Sequence, residues 1–143
     1  MQSPDIDRFV DAQDSGGTYV AALRELRAGR KTSHWMWFVF PQVAGLGQSA
    51  MARTYAVGSL EEARAYLAHP VLGPRLRECV AAVLAHADRS AEQVFGGIDA
   101  VKLRSSMTLF ARADPGESAF TQVLDTFFGG RADARTDELL GSG

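Results

Sequence analysis

The chain of 143 residues is long enough for one hydrophobic core and too short for two. With 46% apolar and 22% charged residues it is no disordered chain, and a net charge of −2 excludes global attraction to nucleic acid or an anionic membrane. Any phosphate-bearing partner must therefore be held by a local patch.

Helical signals dominate from the start. Ile6, Phe9 and Val10 make a short amphipathic turn stopped by Ser15-Gly16-Gly17, and Tyr19, Leu23 and Leu26 give the core face of a second helix stopped by Gly29. Its last turn holds Arg24, Arg27, Arg30 and Lys31 against Glu25, and cations there complement the helix dipole.

The run Trp35–Phe40 follows, capped by Thr32 or Ser33 and stopped by Pro41. It reads as a helix. The alternative is a buried strand, for which only Tyr55-Ala56-Val57 looks like a partner. Pro41–Gln48, with Gly45 and Gly47, is a long loop of the kind that often meets a ligand.

Ser59-Leu60-Glu61-Glu62 is a capping box, followed by inward Leu60, Ala63 and Leu67. His69-Pro70 ends that helix, and Pro70 or Pro74 opens the next, striped by Leu76, Val80, Val83 and Ala87. Ser90-Ala91-Glu92-Gln93 is a second capping box before a turn ended by Gly96-Gly97. Asp99 is expected to cap a helix bearing Leu103, Met107 and Phe110. Phe120, Val123, Leu124, Phe127 and Phe128 stripe the last long helix, closed by Gly129-Gly130, and Thr136–Leu140 adds a final turn.

The expected fold is all-α or mainly α, a compact bundle of about six to eight helices forming a single domain over 1–143 with short flexible ends. Its expected core is Phe9, Leu23, Leu26, Phe38, Leu67, Leu76, Val80, Leu103, Phe110, Phe120, Leu124 and Phe127.

The richest chemistry lies in the segment from Gly29 to Gln42. Both tryptophans, His34 and one of the two lysines fall there. Cations beside aromatic rings at a core edge suit a planar or anionic ligand, and they equally suit a buried helix with a polar start. His34 is either a site residue or a local structural contact. A second cluster, Lys102, Ser105 and Ser106, is expected on one helix face opposite Leu103 and Met107. It is either a phosphate or carboxylate grip or a solvated face.

No histidine pairs with another at metal-ligand spacing, and His69 reads as a junction hydrogen-bonder, so no metal is expected. Cys79, the single cysteine, excludes an internal disulfide and reads as a buried, inert thiol. No P-loop, dinucleotide fingerprint or nucleophile elbow is present, so no cofactor is expected. Caps and dipoles account for Asp5, Asp7, Glu61, Glu62 and Asp99, and no general acid stands out. No apolar run reaches membrane-spanning length, and the acidic start Met1–Asp14 lacks a signal-peptide plan, which makes the cytoplasm the expected compartment.

Four motifs carry a resemblance: Asp7-Arg8-Phe9-Val10-x-Ala12-Gln13, Arg27-x-Gly29-Arg30-Lys31-x-Ser33-His34-Trp35-Met36-Trp37-Phe38-x-Phe40-Pro41-Gln42, His69-Pro70-Val71-Leu72-Gly73-x-Arg75-Leu76 and Lys102-Leu103-x-Ser105-Ser106-Met107-Thr108-Leu109-Phe110. Together they resemble the domain-of-unknown-function family numbered 1810, from about Asp5 to Leu140. The resemblance implies a small, mainly helical bacterial-type domain of unknown function. Members are often labelled calpastatin, a label that physics contradicts: calpastatin segments are disordered and polar, whereas this chain is apolar, periodic and capped. The helix order and basic-aromatic cluster are also similar to a superfamily associated with NAD and ADP-ribose, although its catalytic residues find no match here.

Two readings follow. In the first, the domain binds or processes a nucleotide-like or ADP-ribose-like anionic ligand at a basic-aromatic cleft. Trp35 or Trp37 would stack a ring, Arg30, Lys31 and Lys102 would hold anionic oxygens, and His34, Gln42, Ser105 and Ser106 would orient it. In the second, the protein is a non-catalytic interaction module whose tryptophans are core. Exposure of the tryptophan rings in a cleft separates the two.

Overall fold

The computed structural model describes residues 6–141. Asp5, the first residues of the acidic start and the expected flexible ends at 1–5 and 142–143 lie outside the described residues. The fold is mainly α: among the described residues, seven helices have eight residues or more, and three are single turns. In chain order these are α1 (Asp7–Asp14), α2 (Thr18–Arg27), α3 (Met36–Val39), α4 (Ala50–Thr54), α5 (Leu60–Ala68), α6 (Leu72–Leu84), α7 (Ala91–Phe95), α8 (Gly97–Ala113), α9 (Ser118–Phe128) and α10 (Ala134–Gly141).

Helix α8 is the axle. It packs against α5, α7, α9 and α10, and ten of its seventeen residues are buried. A helix enclosed on most faces needs apolar or small side chains all round, which explains Ser105, Ser106 and Thr108 among Leu103, Met107, Leu109 and Phe110. Helix α6 lies against α2, α5 and α9 and contributes Leu72, Leu76, Cys79, Val80 and Val83 to the same core. Burial places Phe9, Leu26, Leu67, Leu76, Val80, Leu103, Phe110, Phe120 and Leu124 inside, while Leu23, Phe38 and Phe127 pack half-buried at its edge.

Several local expectations are corrected. Helix α8 starts at Gly97, so Asp99 lies inside the first turn and is not the cap. Helix α6 ends at Leu84, which leaves Ala87 exposed beyond the stripe. Ser59 does cap α5 through the Glu62 amide, but the Glu62 carboxylate accepts from Gly58 rather than from Ser59. The capping box at Ser90 and Gln93 forms in full.

The run Trp35–Phe40 is helical at its centre, as α3. Val57 does pair with another segment, but in one parallel bridge with Val43, beyond that run. Reciprocal bonds between Val57 N–H and Gln42 O and between Ala44 N–H and Val57 O, 2.8 Å each, fix the start of the 41–48 loop. The same loop is held at Gly47, where a Cβ would lie 2.4 Å from that of Ala52. A buried network pins α3 from behind: Gln13 donates to Phe38 O at 2.7 Å, Tyr66 donates to the same oxygen, and Arg75 holds the Gln13 carbonyl.

Candidate functional site

The site begins where α2 stops. Gly29 adopts φ +78°, and Gly29 N–H and Arg30 N–H close back onto Leu26 O and Glu25 O at 3.0 Å. This is a Schellman ending, which needs the left-handed conformation that glycine supplies without strain. The chain then turns over the buried Glu25 carboxylate. Thr32 N–H and Ser33 N–H donate to it at 2.8 and 3.0 Å, the Ser33 hydroxyl donates to its second oxygen, and Trp35 Nε1 donates at 2.9 Å. Burial pushes the Glu25 acid upward, but these donors, led by the Ser33 hydroxyl, outweigh it and hold the group at about 2, against an ordinary 4.5. The segment 32–35 is thus moulded on an anion.

That mould sets the lysine. Lys31 N–H bonds Val94 O at 2.7 Å, and its nearly buried ammonium donates to Ser33 O at 2.6 Å and pairs with Asp99 at 2.7 Å. It also lies 5.0 Å from the centre of the Trp35 ring. Asp99 faces a second cation, Lys102, at 3.5 Å, one helical turn along α8. The Lys102 ammonium sits 4.7 Å over the ring of Trp37. Asp99 therefore ties the loop after α2 to the first turn of α8.

Between them opens a cleft of about 380 Å³, within the range of small-ligand sites. Lys31, His34, Trp37 and Lys102 line it, together with Phe95 and the Gly96–Asp99 start of α8. Gly96 precedes the helix at φ +83° and offers no side-chain cap. The amides of Gly97, Ile98 and Asp99 find no protein acceptor among the described residues. A seventeen-residue helix thus presents its positive end to the cleft, beside Lys102 and His34.

A second cleft of about 390 Å³ adjoins the first and shares Ile98 and Lys102 with it. Gln42, Leu46, Gly47, Val101, Ser105 and Asp133 complete its lining.

The structure thus brings Lys31, His34, Trp37 and Lys102 to one cleft, and Gln42, Ser105 and Lys102 to its neighbour. Arg30 is exposed and lines neither. Trp35 is 1% exposed, packed on Phe40 and Phe95. Ser105 and Ser106 do not project from the helix as a polar face. Both are buried, Ser105 donating to Val101 O at 3.2 Å while the Ser106 hydroxyl has no partner among the described residues. The reason is the enclosure of α8 from Ser105 onward, where the face opposite Leu103 and Met107 is covered too, whereas Ile98 and Val101 in its first turns stay exposed.

Glu25, Asp99 and Asp133 were not expected here. Glu25 carried a signal, since it sits at i, i+3, i+4 with the buried Ala22 and Leu26, an inward position for a carboxylate. No group of three histidine, cysteine or carboxylate side chains suited to a metal occurs among the described residues. Among those residues, no helix is long and apolar enough to cross a membrane.

Comparison with known proteins places this geometry in a family. The family described as "Protein of unknown function (DUF1810)" matches residues 3–140. The chain is similar to the conserved hypothetical protein Rv1873 from Mycobacterium tuberculosis, known from a crystal structure. The two share 52% identity over 96% of each chain, with a TM-score of 0.92. No curated protein matches.

Proposed function

The chain belongs to the DUF1810 family, and from that premise we propose that it binds a small anionic ligand bearing a planar ring, nucleotide-like or ADP-ribose-like, in the cleft between the 31–37 segment and the start of α8. The observation that supports this most is the convergence at that cleft of Lys102, His34, the half-buried ring of Trp37 and the uncapped end of α8. The roles divide by how fully each group is already engaged.

Lys31 is satisfied by Asp99 and Ser33 and acts as a fixed positive wall. Among the described residues Lys102 is held by a 3.5 Å contact and a ring face, and a charge-assisted bond to a phosphate oxygen is stronger than either. It is the mobile grip. Trp37 supplies the stacking surface, while Trp35 serves from behind, locking the loop through Glu25. No residue is assigned a proton transfer; binding is the activity proposed. The cytoplasm, where such ligands are abundant, is the proposed compartment.

Replacing Lys102 with alanine should weaken nucleotide binding by ~1–3 kcal/mol without changing the fold. Affinity in the wild type should fall as salt is raised. Isothermal titration with ADP at two ionic strengths checks both, and salt-independent binding unaffected by Lys102→Ala would refute the assignment.

The second reading, an interaction module, draws on the complete burial of Trp35 and on Ile98 and Val101, which are 78% and 60% exposed beside the clefts. A protein partner covering that rim would bind regardless of nucleotide.

A further inference from the structure

The two clefts meet at Lys102 and Ile98, and their linings differ in chemistry. The first is cationic and aromatic. The second has an apolar side of Leu46, Ile98 and Val101 and, apart from the shared lysine, uncharged or acceptor groups. The Gln42 side-chain amide makes no hydrogen bond among the described residues, although its backbone is fixed by Val57. Asp133 spends one oxygen, Oδ2, on the amide and hydroxyl of Thr136 at the start of α10. Its other oxygen accepts from no described residue.

An amide that both donates and accepts, beside a carboxylate oxygen that only accepts, suits vicinal hydroxyls. A carboxylate there also repels a second phosphate. The apolar side chains lining it suit the C–H face of a sugar ring.

We propose that the two clefts are halves of one site, and that the second takes the neutral, hydroxyl-rich end of a ligand whose anionic linker lies at Lys102. This rests on the anion-binding reading of the first cleft and adds its substrate class: a planar ring and a sugar joined through phosphate, as in a nucleoside diphosphate sugar. Asp133 and Gln42 hold the hydroxyls, Lys102 holds the linker, and Trp37 holds the ring. Each half alone is near the small end of ligand sites, at about 380 and 390 Å³, and together they match a ligand of two sugar-sized parts plus a base.

The test pits the sugar against charge. ADP carries more negative charge than ADP-glucose, so a site governed by its cations alone binds ADP more tightly. Two joined lobes bind ADP-glucose more tightly, by about tenfold for two or three added hydrogen bonds to hydroxyls. Titrations of ADP against ADP-glucose, and of UDP against UDP-glucose in case the ring preference differs, read this directly.

Val101 lines only the second lobe and is exposed on α8, so Val101→Trp fills that lobe while leaving the first intact. The variant should lose the preference for the sugar nucleotide and keep its affinity for the diphosphate. Gln42→Ala should reduce sugar-nucleotide affinity about fivefold with the diphosphate unchanged. Binding of the diphosphates without any gain from the sugar, or a gain that survives Val101→Trp, would overturn the two-lobed site while leaving the first cleft standing. Failure of all four probes to bind would overturn both.

Discussion

A carboxylate that accepts from two amides, a hydroxyl and an indole is an unusual thing to bury at the end of a helix, and Glu25 decides the shape of everything up to Trp35. Its acid is held at about 2 in the fold against an ordinary 4.5. The group therefore favours the folded state above its unfolded pKa, by on the order of 3 kcal/mol for a shift of this size. That contribution fades as pH falls from about 4.5 towards 2. Glu25→Gln replaces an acceptor by a donor that faces donors. It should cost ~1–3 kcal/mol at neutral pH and flatten the acid limb of the stability curve between pH 5 and 2. Denaturant melts across that window check it, and an unchanged acid limb would mean that the Glu25 donors are not formed.

Cys79 is the opposite case, a titratable group with no task. It is fully buried, and burial pushes its thiol up to about 12. Alkylating reagents should leave it unmodified in the native protein and react on unfolding, as followed by mass spectrometry. Rapid labelling of the folded chain would show that α6 opens locally.

At the scale of elements, regular stripes were legible, as were the capped starts at Ser59 and Ser90, but the start of α8 was not. Leu76, Val80 and Val83, or Phe120, Val123 and Leu124, recur at helical spacing because each helix has one face towards the core. The start of α8 carries no sequence signal, because glycines at 96 and 97 let the chain enter the helix without a side-chain cap. That freed Asp99 to pair with Lys31 and Lys102 instead. The serines of α8 differ from expectation for a tertiary reason: sequence period shows one apolar face, and only packing reveals that the helix is enclosed on the opposite side as well from Ser105 onward. Helix α9 tests the core directly. Leu124→Ala should cost ~2–5 kcal/mol as a cavity-forming change, measured by chemical denaturation. A loss well below ~1 kcal/mol would mean that α9 does not pack on α8 and α6 as described.

For the molecule as a whole, the basic-aromatic segment announced itself by composition, and its apolar run demanded partners that include α7 and the start of α8. That demand is why Lys102 and His34, 68 positions apart in sequence, line one cleft. The second cleft had no such signal, because Gln42, Val101 and Asp133 come from a loop, a helix face and a turn that only the finished fold brings together.

The two tryptophans allow the central claim to be tested in one experiment. Trp37 lines the cleft under Lys102, whereas Trp35 is buried with its indole N–H bonded to Glu25. Their indole signals in a nitrogen–proton correlation spectrum should therefore respond differently to titration with ADP. The account predicts that the Trp37 signal shifts in a saturable, salt-sensitive way while the Trp35 signal stays nearly in place. A titration in which the Trp37 signal does not move, up to millimolar nucleotide, would contradict it.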